Sequence, residues 1–302
     1  MMSRVAVVTR TKDRPLLLPR ARDSVSQQTY RNFVWVIVND AGDPTIVDSE
    51  AAAARAAGIE VEVVHRERSC GMEAASNAGV EAVESDYIVI HDDDDSWHPE
   101  FLARTVAVLD AKPHYVGVVS RCYRVDERLD GSSVREVKRR IYNPKLIHVR
   151  MAELAMQNKF PPISYLFRRS VYKATGGFDE SLPVLGDWDF HLRCCLCGDI
   201  AVIPEVLANY HHREVSGSTP AVYGNTVSAG VSQHVEYDAI YRNRKLREDI
   251  AANRIGLGVL LYQSTLAHQV GQRIDRAGSR GLIRLVLKLG GRLGKRLRLR
   301  AA

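Results

Sequence analysis

Apolar positions in the first hundred residues arrive as short, dense runs: Val5-Ala6-Val7-Val8, Phe33 to Val38, Val61 to Val64 and Tyr87 to Ile90. Between them lie stretches of helical character, from Leu16 to Gln28, from Ala51 to Ala57 before Gly58, and from Gly71 to Glu84. Short runs rich in β-branched residues predict strands. Strands apolar on both faces that alternate with helices predict a parallel sheet covered on both sides. Ligands of such sheets gather where the carboxyl ends of the strands emerge. Thr9 to Lys12, Asp40 and Asp92 to Asp95 each follow a strand end and are expected to line one edge.

The pattern is less regular further on. Val116 to Tyr123 and Val134 to Tyr142 read as strands joined at an Asp130-Gly131 turn. Leu146 to Gln157 reads as a helix, Ile163 to Phe167 as a return to the sheet after Pro161-Pro162, and Trp188 to Cys197 as a buried helix. Ile200 to Ile203 and Val206 to Tyr210 are two short strand candidates, and helices are expected after Pro220. No internal repeat is visible.

The chain has 302 residues, 45% of them hydrophobic, enough for one large α/β domain with additions or for two smaller ones. No apolar run reaches the ~18 residues of a membrane-spanning helix, and the opening MMSRVAVVTRTKDRP meets charge too early for a secretory leader. Five cysteines are an odd count, which speaks against a disulfide framework and for a reducing cytoplasm. Cys194-Cys195-Leu196-Cys197 lacks the paired spacing of a zinc site and reads as the small buried face of a helix. The net charge of +6 is unevenly placed: residues 273–302 hold ten Lys/Arg against the single acid Asp275, leaving the other 272 residues at −3. The basic character belongs to the tail, so no general nucleic-acid surface is expected.

His91-Asp92-Asp93-Asp94-Asp95 is the most informative segment. Four adjacent carboxylates repel, and a buried strand end cannot leave such charge uncompensated. A divalent cation with hard oxygen ligands, magnesium or manganese, resolves the conflict. The plainer reading is a solvated acidic loop capping the helix that begins near Pro99. Termination of an apolar strand in a ligand-binding position favours the metal.

In order and spacing, several segments resemble family 2 glycosyltransferases of the GT-A fold. They are Val7-Val8-Thr9-Arg10-Thr11 with Arg14-Pro15, Ser26-Gln27-Gln28-Thr29-Tyr30, Val36-Ile37-Val38-Asn39-Asp40-Ala41-Gly42 and Gly71-Met72-Glu73-Ala74-Ala75-Ser76-Asn77-Ala78-Gly79. Asp86 to Trp97, Gly176-Gly177-Phe178-Asp179-Glu180 and Asp187-Trp188-Asp189-Phe190-His191-Leu192-Arg193 complete the set, over residues 3–218. The implied fold is a Rossmann-like α/β nucleotide-diphospho-sugar transferase domain: a mixed, mainly parallel sheet with helices on both faces, plus a C-terminal helical extension. The implied boundaries are 1–219 for that domain (nucleotide-binding half 1–98, acceptor half 99–219) and 220–302 for the extension, with its basic amphipathic tail at 273–302.

The resemblance implies inverting transfer of a sugar from a nucleotide-sugar donor to a hydroxyl of a glycan or lipid-linked glycan, in bacterial surface polysaccharide synthesis. Asp187 is the expected general base, with Asp189 the alternative. On residue grounds alone, Asp187 also reads as an acid at a helix N-terminus. Asp40, Thr9, Arg10 and Thr11 are expected around the nucleoside, Gly71 and Asn77 beneath it, and Asp93 on the donor sugar. Asp92 and Asp94 are the expected pair for Mg2+ or Mn2+, with His212 of Tyr210-His211-His212-Arg213 as a further ligand and Arg213 as a phosphate clamp. His91 is expected to be structural.

Three positions depart from the family pattern. Ser76 stands where relatives often carry arginine, Gly186 where an acid usually precedes the base, and Thr11 where an aromatic residue could stack on the nucleobase. The donor nucleotide is therefore left open, with UDP favoured over dTDP and GDP.

In the tail, Leu282, Leu285, Val286, Leu289, Leu293 and Leu297 share one helical face, and Arg284, Lys288, Arg292 and Lys295 another. This pattern suits an interfacial helix on anionic lipid or a helix packed on its own domain. It places the protein in the cytoplasm, with peripheral attachment to the inner face of the plasma membrane and a homo-oligomer as open options. Two other functional classes stay in view: a catalytically silent sugar-nucleotide-binding subunit, and a metal-dependent phosphohydrolase.

Overall fold

A computed structural model describes residues 3–130, 133–213, 221–224, 231–275 and 278. They divide into two compact units, 1–240 and 241–302.

The first unit is built on a nine-stranded sheet. Four parallel strands start it: β1 (Val5–Thr11) lies between β2 (Phe33–Asn39) and β4 (Tyr87–Ile90), and β3 (Glu60–His65) flanks β2. Residues 33–39 are all buried, as a strand covered on both faces requires. Alternation of side chains divides the two layers. Val5, Val7, Trp35, Ile37 and Val89 share a core with α1 (Leu18–Ser26) and α2 (Pro44–Ala56), through Leu18, Ala21, Val25, Val47, Ala51 and Ala54. The opposite face takes α3 (Met72–Glu81), which comes so close that a Cβ on Gly79 would stand 2.8 Å from Val38 Cγ2.

The order continues β4-β8-β6-β9-β5, where β8 (Tyr165–Arg168) is antiparallel to both its neighbours and β5 (Ser96–Trp97) is antiparallel to β9. The mixed, mainly parallel sheet expected from the sequence is thus present. Two differences have clear causes. The two short candidates after Asp199 are one strand, β9 (Ile200–Arg213), which pairs in parallel with β6 (Gly117–Asp130). The register shifts around Arg121 absorb Pro204, which has no amide proton to give a ladder. β6 itself runs on to form a hairpin with the largely exposed β7 (Ser133–Ile141). The Gly131 of the expected turn lies outside the described residues.

The helix α4 (Phe101–Ala111) covers the sheet, α5 (Met151–Met156) is shorter than expected, α6 is Arg169–Thr175, and α7 is Gly186–Cys197. On α7 only Cys194 is buried; Cys195 is half-buried and Cys197 exposed, so the cysteine cluster is not one buried face. Among the described residues no helix is long and apolar enough to cross a membrane.

Helix α8 (Val231–Ala251) ends within the second unit, which also contains a helix over 257–275. There the Asp249 carboxylate accepts from the amides of Gly256 (3.0 Å) and Val259 (2.9 Å), capping the second helix from the first. Most of the basic tail lies outside the described residues.

Candidate active site

The parallel register brings the ends of β1, β2 and β4 level, with Thr11 beside Asn39 and Val8 beside Ile90. The charged residues after these ends surround a cavity of about 400 Å³ in the first unit. Arg10, Thr11, Asp40, Gly71, Asp92, Asp93, Asp94 and Asp187 all line it. Gly71 begins α3 at φ 99°, a backbone region that a side chain would strain.

Arginines neutralise the aspartate run. Arg10 Nε donates to Asp92 Oδ1 at 2.8 Å. Arg14 Nη1 lies 2.9 Å from Asp93 Oδ1 and 3.6 Å from Asp94 Oδ2, and Arg213 donates to the same Asp94 oxygen. Thr11 Oγ1 donates to Asp93 Oδ2 at 2.7 Å. Burial opposes ionisation of Asp94, but Arg213 and Arg14 overcome it and hold its carboxyl below the usual range. Burial raises Asp93 and, with Asp94 beside it, raises Asp95 well above the usual value. One Asp95 oxygen accepts the His211 amide at 2.8 Å, whereas Oδ2 is buried without a hydrogen-bond partner.

Glu127 joins these elements from β6. It accepts from Arg20 (2.8 Å), Arg213 (2.6 Å) and His211 (2.7 Å). Against the effect of burial, those contacts pull its carboxyl down to about 2. Arg14 and Arg213 also donate to the carbonyls of Val222, Gly224 and Tyr223. The segment Ala221–Gly224 is thereby tied to the same two guanidiniums that face the aspartates.

Asp40 accepts from Arg66 (2.8 Å) and Ser69 (2.5 Å) at the β2 edge of the cavity. On the far wall, Asp187 begins α7 after Leu185, which is held at φ 68°. Asn158 donates to its Oδ2 at 2.8 Å and the Trp188 amide to its Oδ1 at 2.7 Å. Burial raises the Asp187 carboxyl above its ordinary range against the Trp188 amide and Arg10. Asp189 instead points into the protein, where Arg193 clamps it at 2.5 Å and ties it to the carbonyls of Thr175 and Gly177.

Four expected site residues do not reach the cavity lining; one of them, Arg213, is buried against Asp94 and Glu127. Thr9 is buried and accepts from Trp35 Nε1 at 2.8 Å, because alternation turns it toward the helices. Asn77 is buried against the Gly177-Phe178 turn, accepting from the Phe178 amide and donating to the Phe178 carbonyl. His212 packs edge-on against Tyr210 at 4.2 Å, with neither ring nitrogen hydrogen-bonded; burial lowers it to about 4. His91 is structural as expected, bonded to Ser24 and the Asp92 carbonyl.

Among the described residues, no group of three or more His, Cys, Asp or Glu is arranged to hold a cation. Asp92 and Asp94 nevertheless offer hard oxygens from one wall, and magnesium commonly needs only one or two carboxylates beside phosphate and water. The donor set fits such an ion, with arginine as its competitor.

Residues 6–174 match glycosyl transferase family 2. The chain belongs to that family. The uncharacterized glycosyltransferase YwdF of Bacillus subtilis is 28% identical over 193 residues, 63% of this chain and 67% of YwdF. The amylovoran biosynthesis glycosyltransferase AmsB of Erwinia amylovora is 25% identical over 196 residues, 63% of each protein. The match thus spans under two thirds of AmsB. Among solved folds, Staphylococcus aureus TarS 1-349 in complex with UDP-GlcNAc superposes with a TM-score of 0.57 at 19% identity, over 72% of this chain and 62% of that one. The mannosyltransferase PcManGT of Pyrobaculum calidifontis, in complex with GDP-Man and Mn2+, gives 0.57 at 18% identity, over 89% and 70%. The fold is GT-A-like.

Sequence reasoning did not single out Glu73, Tyr210 or His234, which also line the cavity. For Glu73 the one sequence signal was the pattern break at Gly186, which acquires meaning only beside it.

Proposed function

We propose that this family 2 protein transfers a sugar, with inversion, from a nucleotide-sugar donor to a hydroxyl of a glycan or lipid-linked glycan, in assembly of a bacterial surface polysaccharide. The observation that carries this reading is the cavity lined together by Asp40, the aspartates 92–94 and Asp187. Asp40 hydrogen-bonds the nucleoside, with Thr11, Arg10 and Gly71 beside it, and Asp93 is the contact for the donor's ribose or sugar. Arg14 and Arg213 face the diphosphate, where planar guanidinium forks suit phosphate oxygens. Asp187 accepts the proton of the acceptor hydroxyl as that oxygen attacks. Its raised affinity for a proton suits a base, and Asn158 and the Trp188 amide hold its orientation.

Mg2+ or Mn2+ would be held by Asp92 and Asp94 and would supply electrostatic stabilisation of the departing diphosphate. UDP is the favoured nucleotide: TarS was solved with UDP-GlcNAc, although the GDP-Man complex of PcManGT makes GDP the control. Residues 1–219 are the transferase domain in this reading, and the tail 273–302 docks on the anionic inner face of the plasma membrane. Vesicle co-sedimentation tests that docking; equal binding to neutral and anionic lipid removes it.

The decisive experiment combines nucleotide-diphosphate binding, with and without manganese, with transfer from the donor so identified. Asp187→Asn is expected to lower kcat by about 10²–10⁴ while nucleotide affinity stays unchanged. Normal transfer by that variant, or acceptor-independent phosphate release by the wild type, would overturn the reading.

A further inference from the structure

Glu73 is a buried acid on the cavity wall, reached from α3. It packs directly against Gly186, the residue before Asp187. A Cβ on Gly186 would fall 2.5 Å from Glu73 Cγ and closer still to its carboxylate. Gly186 has no positive φ, so its backbone would accept a side chain. What excludes one is the Glu73 carboxylate, already in that volume.

The same carboxylate has a cation in reach. Arg10 Nη1 lies 3.4 Å from Glu73 Oε2 and donates to Ser76 Oγ at 2.9 Å, while Arg10 Nε holds Asp92. The small side chain at position 76 leaves room for that guanidinium. The two breaks in the sequence pattern, Ser76 and Gly186, are therefore filled from elsewhere: a cation from β1 and an acid from α3.

We propose that Glu73 is a positioning residue of the transfer site: from the volume vacated at Gly186, it holds Arg10 against Asp92 and fixes the wall beside Asp187 that the transferred sugar meets. The proposal rests on the transferase reading. It extends it by assigning the acid that flanks the base to a different helix. Glu73 holds no proton in transit; its effect runs through Arg10 and the packing of the first turn of α7.

The test is relocation of the carboxylate in the full chain. Misplacement of site groups by about 1 Å costs about 10²-fold in rate, and a loss of that order in kcat/KM is expected for Glu73→Ala, carried mainly by kcat. Glu73→Gln, which keeps the volume, should lose less and melt no lower than the wild type. Gly186→Glu alone should lose activity because two acids compete for one space. Glu73→Ala/Gly186→Glu, which restores one acid there from α7, should recover about tenfold over Glu73→Ala. A double variant no better than Glu73→Ala, or a fully active Glu73→Ala, would overturn the proposal. Those outcomes are distinct from failure of the transferase reading, because Asp187→Asn and nucleotide binding report on that independently.

Discussion

The two ends of the cavity are charged on opposite principles. At the aspartate run three of the four carboxylates have an arginine: Asp92 has Arg10, Asp93 has Arg14, Asp94 has Arg14 and Arg213, and Glu127 beyond has Arg20 and Arg213, while Asp95 accepts only the His211 amide among the described residues. At the α7 end Glu73 and Asp187 share Arg10, which already serves Asp92, and Asp187 also accepts from Asn158 and the Trp188 amide. Burial makes acids there harder to ionise, as it does Asp93 and Asp95. Burial, reinforced by Asp187 and Asp92 and opposed by Arg10, pushes Glu73 up to about 7. A matched region can receive an anionic diphosphate by exchanging partners. An undermatched region keeps an acid ready to take a proton. The difference is what a reaction with an anionic leaving group and a protic nucleophile requires.

Removing a match should make the first region resemble the second. Arg213→Ala strands Asp94 and Glu127 in a buried setting. Breaking a buried pair from one side costs about 3–5 kcal/mol, which urea unfolding should show as the largest stability loss of this set. An unchanged midpoint would mean that the remaining arginines suffice.

The undermatched end can be sharpened by pH. Between its ordinary 4.5 and its folded value of about 7, Glu73 holds more proton in the folded chain than in the unfolded one. Stability should therefore fall as pH rises through that window, by at most about 3 kcal/mol. Glu73→Gln should flatten this dependence. A parallel slope in wild type and variant would assign the proton elsewhere.

The smallest effect is expected two residues past the proposed base. Asp189→Asn loses charge-assisted bonds to Arg193, about 2 kcal/mol of stability, measured by the same unfolding curves. Transfer rate per folded molecule should stay within about threefold of wild type. A collapse like that of Asp187→Asn would place the catalytic acid at 189.

The strand ends that supply Arg10, Asp40 and the aspartates were readable because buried parallel strands announce themselves as uninterrupted apolar runs. The single strand through Pro204 was not, since proline signals a break and only the bulge opposite Arg121 shows how it is carried. Arginine compensation of the aspartates was also hidden. Arg14 and Arg213 stand far from Asp94 in sequence, and no local pattern says which cation returns to it. Thr9 and Asn77 were placed correctly along the chain but on the wrong side, because register and turn packing set the direction of a side chain. For Gly186, absence of a side chain was visible, but its replacement by Glu73 required the fold.

Arg14 and Arg213 each grip an acid with one edge and the backbone of Ala221–Gly224 with another. Any anion that draws these cations inward must tug on a stretch of main chain more than a hundred residues downstream of the aspartates. In the proposed reading, a filled phosphate subsite is thus tied, by two side chains, to the backbone of residues 222–224.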